Sequence, residues 1–130
     1  MVAPVVVLLV SRDPLDVLRT LSGLQSYGYD VLVAESASQA LGLMTANRRV
    51  SALVASADLP DEGLVLAKAA RAINPKLAVV YTSRLPHRVP ERDKVPGAPC
   101  LRVPYTPHQL VSIIGQLTGR VSADDHTRVA

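Results

Sequence analysis

Val50-Ser51-Ala52-Leu53-Val54-Ala55-Ser56-Ala57-Asp58-Leu59-Pro60-Asp61-Glu62-Gly63 is an apolar run that stops in small and polar residues before Leu-Pro and Gly. A continuous apolar segment of this length, too short for a helix, reads as a buried central strand of a parallel sheet. Such folds place their chemistry in loops at the carboxyl ends of the strands, which puts Ser56 at the tip of the middle strand and makes the following loop the working end. The chain on both sides repeats the same alternation of apolar run, loop and amphipathic stretch, the pattern of a single α/β domain.

Outward from that stretch, Val5-Val6-Val7-Leu8-Leu9-Val10 is apolar on both faces and reads as another central strand. Asp13-Pro14 then supplies a helix cap and a first-position proline, with Val17, Leu18, Leu21 and Leu24 at helical spacing as the inward face and Tyr27-Gly28-Tyr29 as the stop. Residues 30–34 form a second strand. Ser36-x-x-Gln39 reads as a capping box, with Ala37, Ala40 or Leu41, and Met44 facing inward. A third helix follows Gly63, with Leu66, Ala70 and Ile73 inward and Asn74-Pro75 as its stop, and residues 77–81 make a fourth strand ending at Thr82-Ser83.

The rhythm then breaks. Pro86, Pro90, Pro96 and Pro99, together with Gly97, leave no room for three helical turns, so a loop or one broken turn replaces the fourth helix. Residues 100–103 form a short last strand. Thr106-Pro107-His108-Gln109 combines a cap, a first-position proline and a capping-box glutamine, and Leu110, Val111, Ile113, Ile114 and Leu117 mark an amphipathic helix ended by Gly119. Residues 1–120 are thus one domain and residues 121–130 a polar, aperiodic tail. The expected architecture is a flavodoxin-like, doubly wound sheet of five parallel strands, a (βα)5 fold with a degenerate fourth helix.

Composition bounds the function. A single cysteine, Cys100, rules out an internal disulfide framework and a cysteine-based zinc site and suits a reducing, cytoplasmic setting. No apolar run is long enough to span a membrane. The net charge of +3 is spread along the chain, and with four tyrosines but neither Phe nor Trp there is no base-stacking platform, so nucleic acid is not the expected partner.

Val7-Leu8-Leu9-Val10-Ser11-Arg12-Asp13-Pro14, Tyr27-Gly28-Tyr29, Leu59-Pro60-Asp61-Glu62-Gly63-Leu64, Tyr81-Thr82-Ser83 and the block from Pro96 to Pro107 stand in the order of the motifs of the response-regulator receiver domain of two-component signalling. The resemblance covers about residues 5–119, and the proline-rich stretch before the last strand is similar to single-domain receivers of alphaproteobacterial type. It implies a phosphorelay protein in which a kinase histidine passes a phosphoryl group to an aspartate at the end of the third strand. In that family an acidic pair after the first strand helps hold magnesium, a Thr or Ser ends the fourth strand, and a lysine before the last proline binds the product phosphate. Carried onto this chain, the acceptor position is Ser56, the acidic pair falls on Ser11 and Arg12, the lysine position is Val103 and the switch-aromatic position is Cys100. Thr82 alone keeps the family's residue type.

Hydroxyls, an aliphatic chain and a guanidinium do not hold a hard dication, and a serine hydroxyl without a neighbouring base is a poor nucleophile. The resemblance therefore implies a pseudo-receiver without catalytic residues, metal or cofactor. Such a module docks on a histidine kinase, another regulator or a second copy of itself. Two alternatives accompany this reading. Arg12, with Arg84 or Arg102, makes a candidate anion or nucleotide sensor. Asp58, with Asp13, is a candidate for rebuilding an active metal site, set against the plainer expectation that Asp13 caps a helix and Asp58 faces solvent. His87, His108 and His126 show no ligand spacing and are expected at the surface.

Overall fold

A computed structural model of the chain describes residues 5–47, 49–58 and 63–119. The expected tail beyond residue 120, with His126, lies outside the described residues. Strands β1 (Val6–Val10), β2 (Asp30–Ala34), β3 (Val50–Ser56), β4 (Ala78–Ser83) and β5 (Cys100–Arg102) alternate with helices α1 (Pro14–Ser26), α2 (Ala37–Ala46), α3 (Leu64–Ile73) and α4 (Pro107–Thr118). All neighbouring strands pair in parallel, in the order β2-β1-β3-β4-β5, which is the flavodoxin-like arrangement.

The strands carry β-branched and aliphatic side chains on both faces because both faces are covered. Leu8, Leu53, Val79 and Tyr81 pack under α2 and α3. Val7, Leu9, Val54 and Val80 pack under α4, with Leu24 of α1. Each of these side chains is essentially removed from water, contributing roughly 1.5–3 kcal/mol for a Val or Leu.

Local signals hold the helix ends. Asp13 accepts the Leu15 N–H at 3.0 Å, as its place before Pro14 predicts. Thr106 and Gln109 form a full capping box, and Gly119 closes α4 in the left-handed region at φ 75°. At α2 the box is displaced by one residue. Ser36 Oγ accepts from the Gln39 N–H, but the Gln39 side chain accepts from Glu35 N–H at 2.7 Å rather than from Ser36.

Three expected core residues point outward instead. Leu18 is 61% exposed, Ile73 43% and Leu117 38%, while Thr20 of α1 is buried. The buried stripe of α1 therefore runs through Val17, Thr20 and Leu24, and Leu18 falls outside it. Between β4 and β5 the prolines permit two single 3₁₀ turns, Pro86–Arg88 and Glu91–Asp93, so the fourth helix is indeed degenerate. Buried Val95 and Ala98 tie this segment down, and the Val95 N–H donates to the Tyr81 hydroxyl at 3.1 Å.

Candidate functional site

The carboxyl ends of β1, β3, β4 and β5 open into a cleft of about 1070 Å³. It brings together Ser11, Arg12, Ser56, Thr82, Arg84 and Val103, six of the eight site positions read from the sequence. Parallel pairing is what gathers them. Ser56 and Thr82 are direct partners across β3 and β4, and the Ser11 N–H bonds to Ala34 O just beyond the end of β1. The Val103 N–H bonds to Ser83 O and carries β5's end to the same level.

Ser56 is half-buried, and its Oγ accepts the Asp58 N–H at 3.1 Å, a local turn that spends one lone pair and leaves its proton free to be donated. Ser11 Oγ accepts from the Asp13 N–H at 3.2 Å and donates to Asp16 Oδ2 at 3.1 Å. Arg12 Nε donates to Glu35 O at 2.8 Å, which moors the guanidinium between β1 and the end of β2. Val103 supplies an aliphatic wall beside Leu9, Val54 and Tyr105.

Asp58 is exposed, and it is also hydrogen-bonded. Its Oδ1 accepts from Ser83 Oγ at 2.6 Å and its Oδ2 from the Arg84 N–H at 3.0 Å, so it fastens the loop after β3 onto the end of β4. Ser83 Oγ in turn accepts the Leu85 N–H at 3.0 Å. It stands in the loop as expected, and the β3–β4 register also places the buried Ser83 hydroxyl within its reach.

Arg102 also departs from expectation. It is exposed at the end of β5 and does not line the cleft, whereas Arg19 does. Arg19 lies on α1 one turn after Asp16 and 3.8 Å from it, and no pattern in the sequence marked it. Among the described lining residues three arginines, Arg12, Arg19 and Arg84, face three aspartates, Asp13, Asp16 and Asp58, so the cleft is charge-balanced rather than basic.

Those aspartates do not form a metal cage. Asp13 caps α1, Asp16 takes the Ser11 hydroxyl, and Asp58 holds β4. Among the described residues no group of three His, Cys, Asp or Glu side chains converges as metal ligands would. The donors among the described residues do not fit a magnesium ion, which requires oxygen ligands in near-octahedral array.

Cys100 lies apart from the cleft, packed against the α2–α3 side of the sheet. Burial raises its thiol pKa, with Lys94 opposing and Asp58 adding to the rise. The Tyr81 phenol is likewise raised by burial, against the lowering effects of the Val95 N–H, Arg71 and Lys94. Tyr105, at the cleft wall, is raised by burial as well, tempered by its 3.2 Å hydrogen bond with Thr20. His87 and His108 are both exposed. His108 Nδ1 is hydrogen-bonded to the Tyr27 hydroxyl at 3.2 Å, where it links the start of α4 to the end of α1.

Solved structures share this arrangement. A response regulator receiver protein from Sinorhizobium medicae matches with a TM-score of 0.77 at 24% identity, over 89% of this chain and 95% of that one. A receiver domain protein from Clostridium thermocellum gives 0.77 at 21%, over 92% and 98%. A CheY-like receiver domain protein from Methanospirillum hungatei gives 0.75 at 22%, over 93% and 99%. The chain has the receiver-domain fold. No protein-family model matches its sequence, and no curated protein does. In this chain the ends of β1, β3, β4 and β5 carry Ser11, Arg12, Ser56, Thr82 and Val103 around that cleft. No helix among the described residues is long and apolar enough to cross a membrane.

Proposed function

We propose that this chain is a pseudo-receiver of two-component signal transduction, a receiver domain without phosphoryl-transfer chemistry that works as a protein-docking module. The observation that carries the reading is the joint placement of Ser56, Ser11, Arg12 and Val103 around one cleft of the receiver fold. The three carboxylates and the lysine of the receiver reaction would have to stand there. A guanidinium moored at 2.8 Å to Glu35 O repels a dication, and Val103 offers nothing to a phosphoryl oxygen. Asp58 does not replace the acceptor, since both of its oxygens are engaged by the end of β4.

Output then passes through contact with a partner that needs no phosphorylation: a histidine kinase, another regulator, or a second copy in a homodimer. The proline-rich segment between β4 and β5 remodels one face of the domain. Support for docking on the helices comes from α1, where Leu15 is 77% and Leu18 61% exposed, one turn apart beside the cleft. A cytoplasmic location agrees with this role.

Incubation with acetyl phosphate and magnesium, followed by intact-mass measurement, tests the reading. An unchanged mass is expected, and a gain of one phosphoryl group on Ser56 or Asp58 overturns it. Pull-downs with Leu18→Glu and Leu117→Glu then locate the face that docks. Capture of the partner should weaken for one of them and be indifferent to acetyl phosphate.

A further inference from the structure

The cleft combines three features that bear on a ligand. Its floor is apolar: Leu9 and Val54 are almost wholly buried, and Val103, Pro104 and Tyr105 continue the surface. Its carboxylates face the protein's own donors, Asp13 toward Leu15 N–H, Asp16 toward Ser11 Oγ, and Asp58 toward Ser83 Oγ and Arg84 N–H. Its donors, by contrast, remain in surplus. Among the described residues the Arg84 guanidinium makes no hydrogen bond and the Ser56 hydroxyl proton has no acceptor. A guanidinium offers up to five N–H groups in a planar fork matched to a carboxylate or phosphate.

We propose that this cleft is a binding site for a small organic anion, an oxyanion carried on an apolar body, rather than for inorganic phosphate. The anionic group sits at the mouth against Arg84, with the Ser56 and Thr82 hydroxyls below it, and the apolar body lies on Val103 and Pro104, lining apolar side chains that keep exposed surface. The volume of about 1070 Å³ lies just above the roughly 300–1,000 Å³ typical of small-molecule sites, leaving room for an organic body beside the anionic group. Apolar contact on the floor is what bare phosphate cannot use, so the Val103 position selects for the organic part of the ligand. The inference rests on the reading that the cleft does not transfer phosphoryl groups. Failure of that reading would appear as a phosphorylated mass, whereas failure of this one would appear as absent or indiscriminate binding.

Titrations of the full chain with phenyl phosphate, inorganic phosphate and phenol, followed through the backbone amide resonances of Ser11, Ser56, Thr82 and Val103, test the proposal. Phenyl phosphate should bind at least about tenfold more tightly than either of its halves, because each half loses either the ring burial or the ion pairing. Arg84→Gln, a change at an exposed side chain, should weaken phenyl phosphate by about tenfold. Val103→Lys should turn the preference toward inorganic phosphate. No saturable binding of phenyl phosphate, equal binding of phenyl and inorganic phosphate, or indifference to Arg84→Gln would each overturn the proposal.

Discussion

Gly63→Ala tests how the loop after β3 returns to the sheet. A Cβ at residue 63 would lie 1.7 Å from the carbonyl oxygen of Ser56 and 2.6 Å from its carbon. Gly63 has φ −115° and ψ −64°, which any residue tolerates, so the demand for glycine is steric rather than conformational. Overpacking costs about 1–3 kcal/mol, and the upper end applies because the obstacle is strand backbone rather than a side chain that can swing away. With a urea dependence of about 2 kcal/mol per molar, a loss of about 3 kcal/mol lowers the unfolding midpoint by about 1.5 M. Gly42→Ala is the control of opposite sign. It sits exposed in α2 with nothing within 4 Å of its Cβ, so the gain in helix propensity of about 1 kcal/mol should raise the midpoint by about 0.5 M. Urea unfolding of the two variants beside the parent, followed by far-ultraviolet circular dichroism, measures both. A Gly63→Ala midpoint within about 0.3 M of the parent would refute the close approach of Gly63 to Ser56.

Ser83→Ala removes the hydroxyl that joins Asp58 to the Leu85 N–H, and it should cost about 1.5 kcal/mol, seen as a drop in Tm of about 5 °C; an unchanged Tm would show that the bridge is idle. Gly23→Ala drives a Cβ to 2.3 Å from Pro107 Cβ, so it should loosen α1 from α4 at a cost of about 2 kcal/mol, read by the same melts. Tyr81, Tyr105 and Cys100 all have folded pKa values raised by burial. Each contributes stability that is fully present below its unfolded value, about 8.5 for the thiol and 10 for the phenols, and that is lost as pH rises toward the folded value. Chemical unfolding should therefore show a stability falling progressively above about pH 9, and Tyr81→Phe should flatten part of that fall.

The sheet was legible because its signals are local and redundant. Five short apolar runs, with Asp13-Pro14, the Thr106–Gln109 box and Gly119 at helix ends, all point to one alternation, and these caps form as read. The break between β4 and β5 followed from proline chemistry alone. What the sequence hid depends on how elements meet. Leu18, Ile73 and Leu117 have apolar side chains at or near helical spacing, but the stripe that each helix buries is narrow, and only packing decides which leucines fall outside it. Asp58 is captured by Ser83 across two strands, a contact 25 residues apart that no local pattern announces. Arg102 and Arg19 exchanged places for a similar reason. The short β5 leaves Arg102 outside the cleft, while the turn of α1 brings Arg19 over it.

A magnesium titration of the full chain, followed by the amide resonances of Ser11, Arg12, Ser56 and Thr82, addresses most directly the claim that the cleft has lost its dication. With a guanidinium at its mouth and its aspartates turned to the protein's own donors, no saturable shift should appear at these amides up to millimolar magnesium. Saturable shifts confined to Ser11, Ser56 and Thr82 would contradict the account.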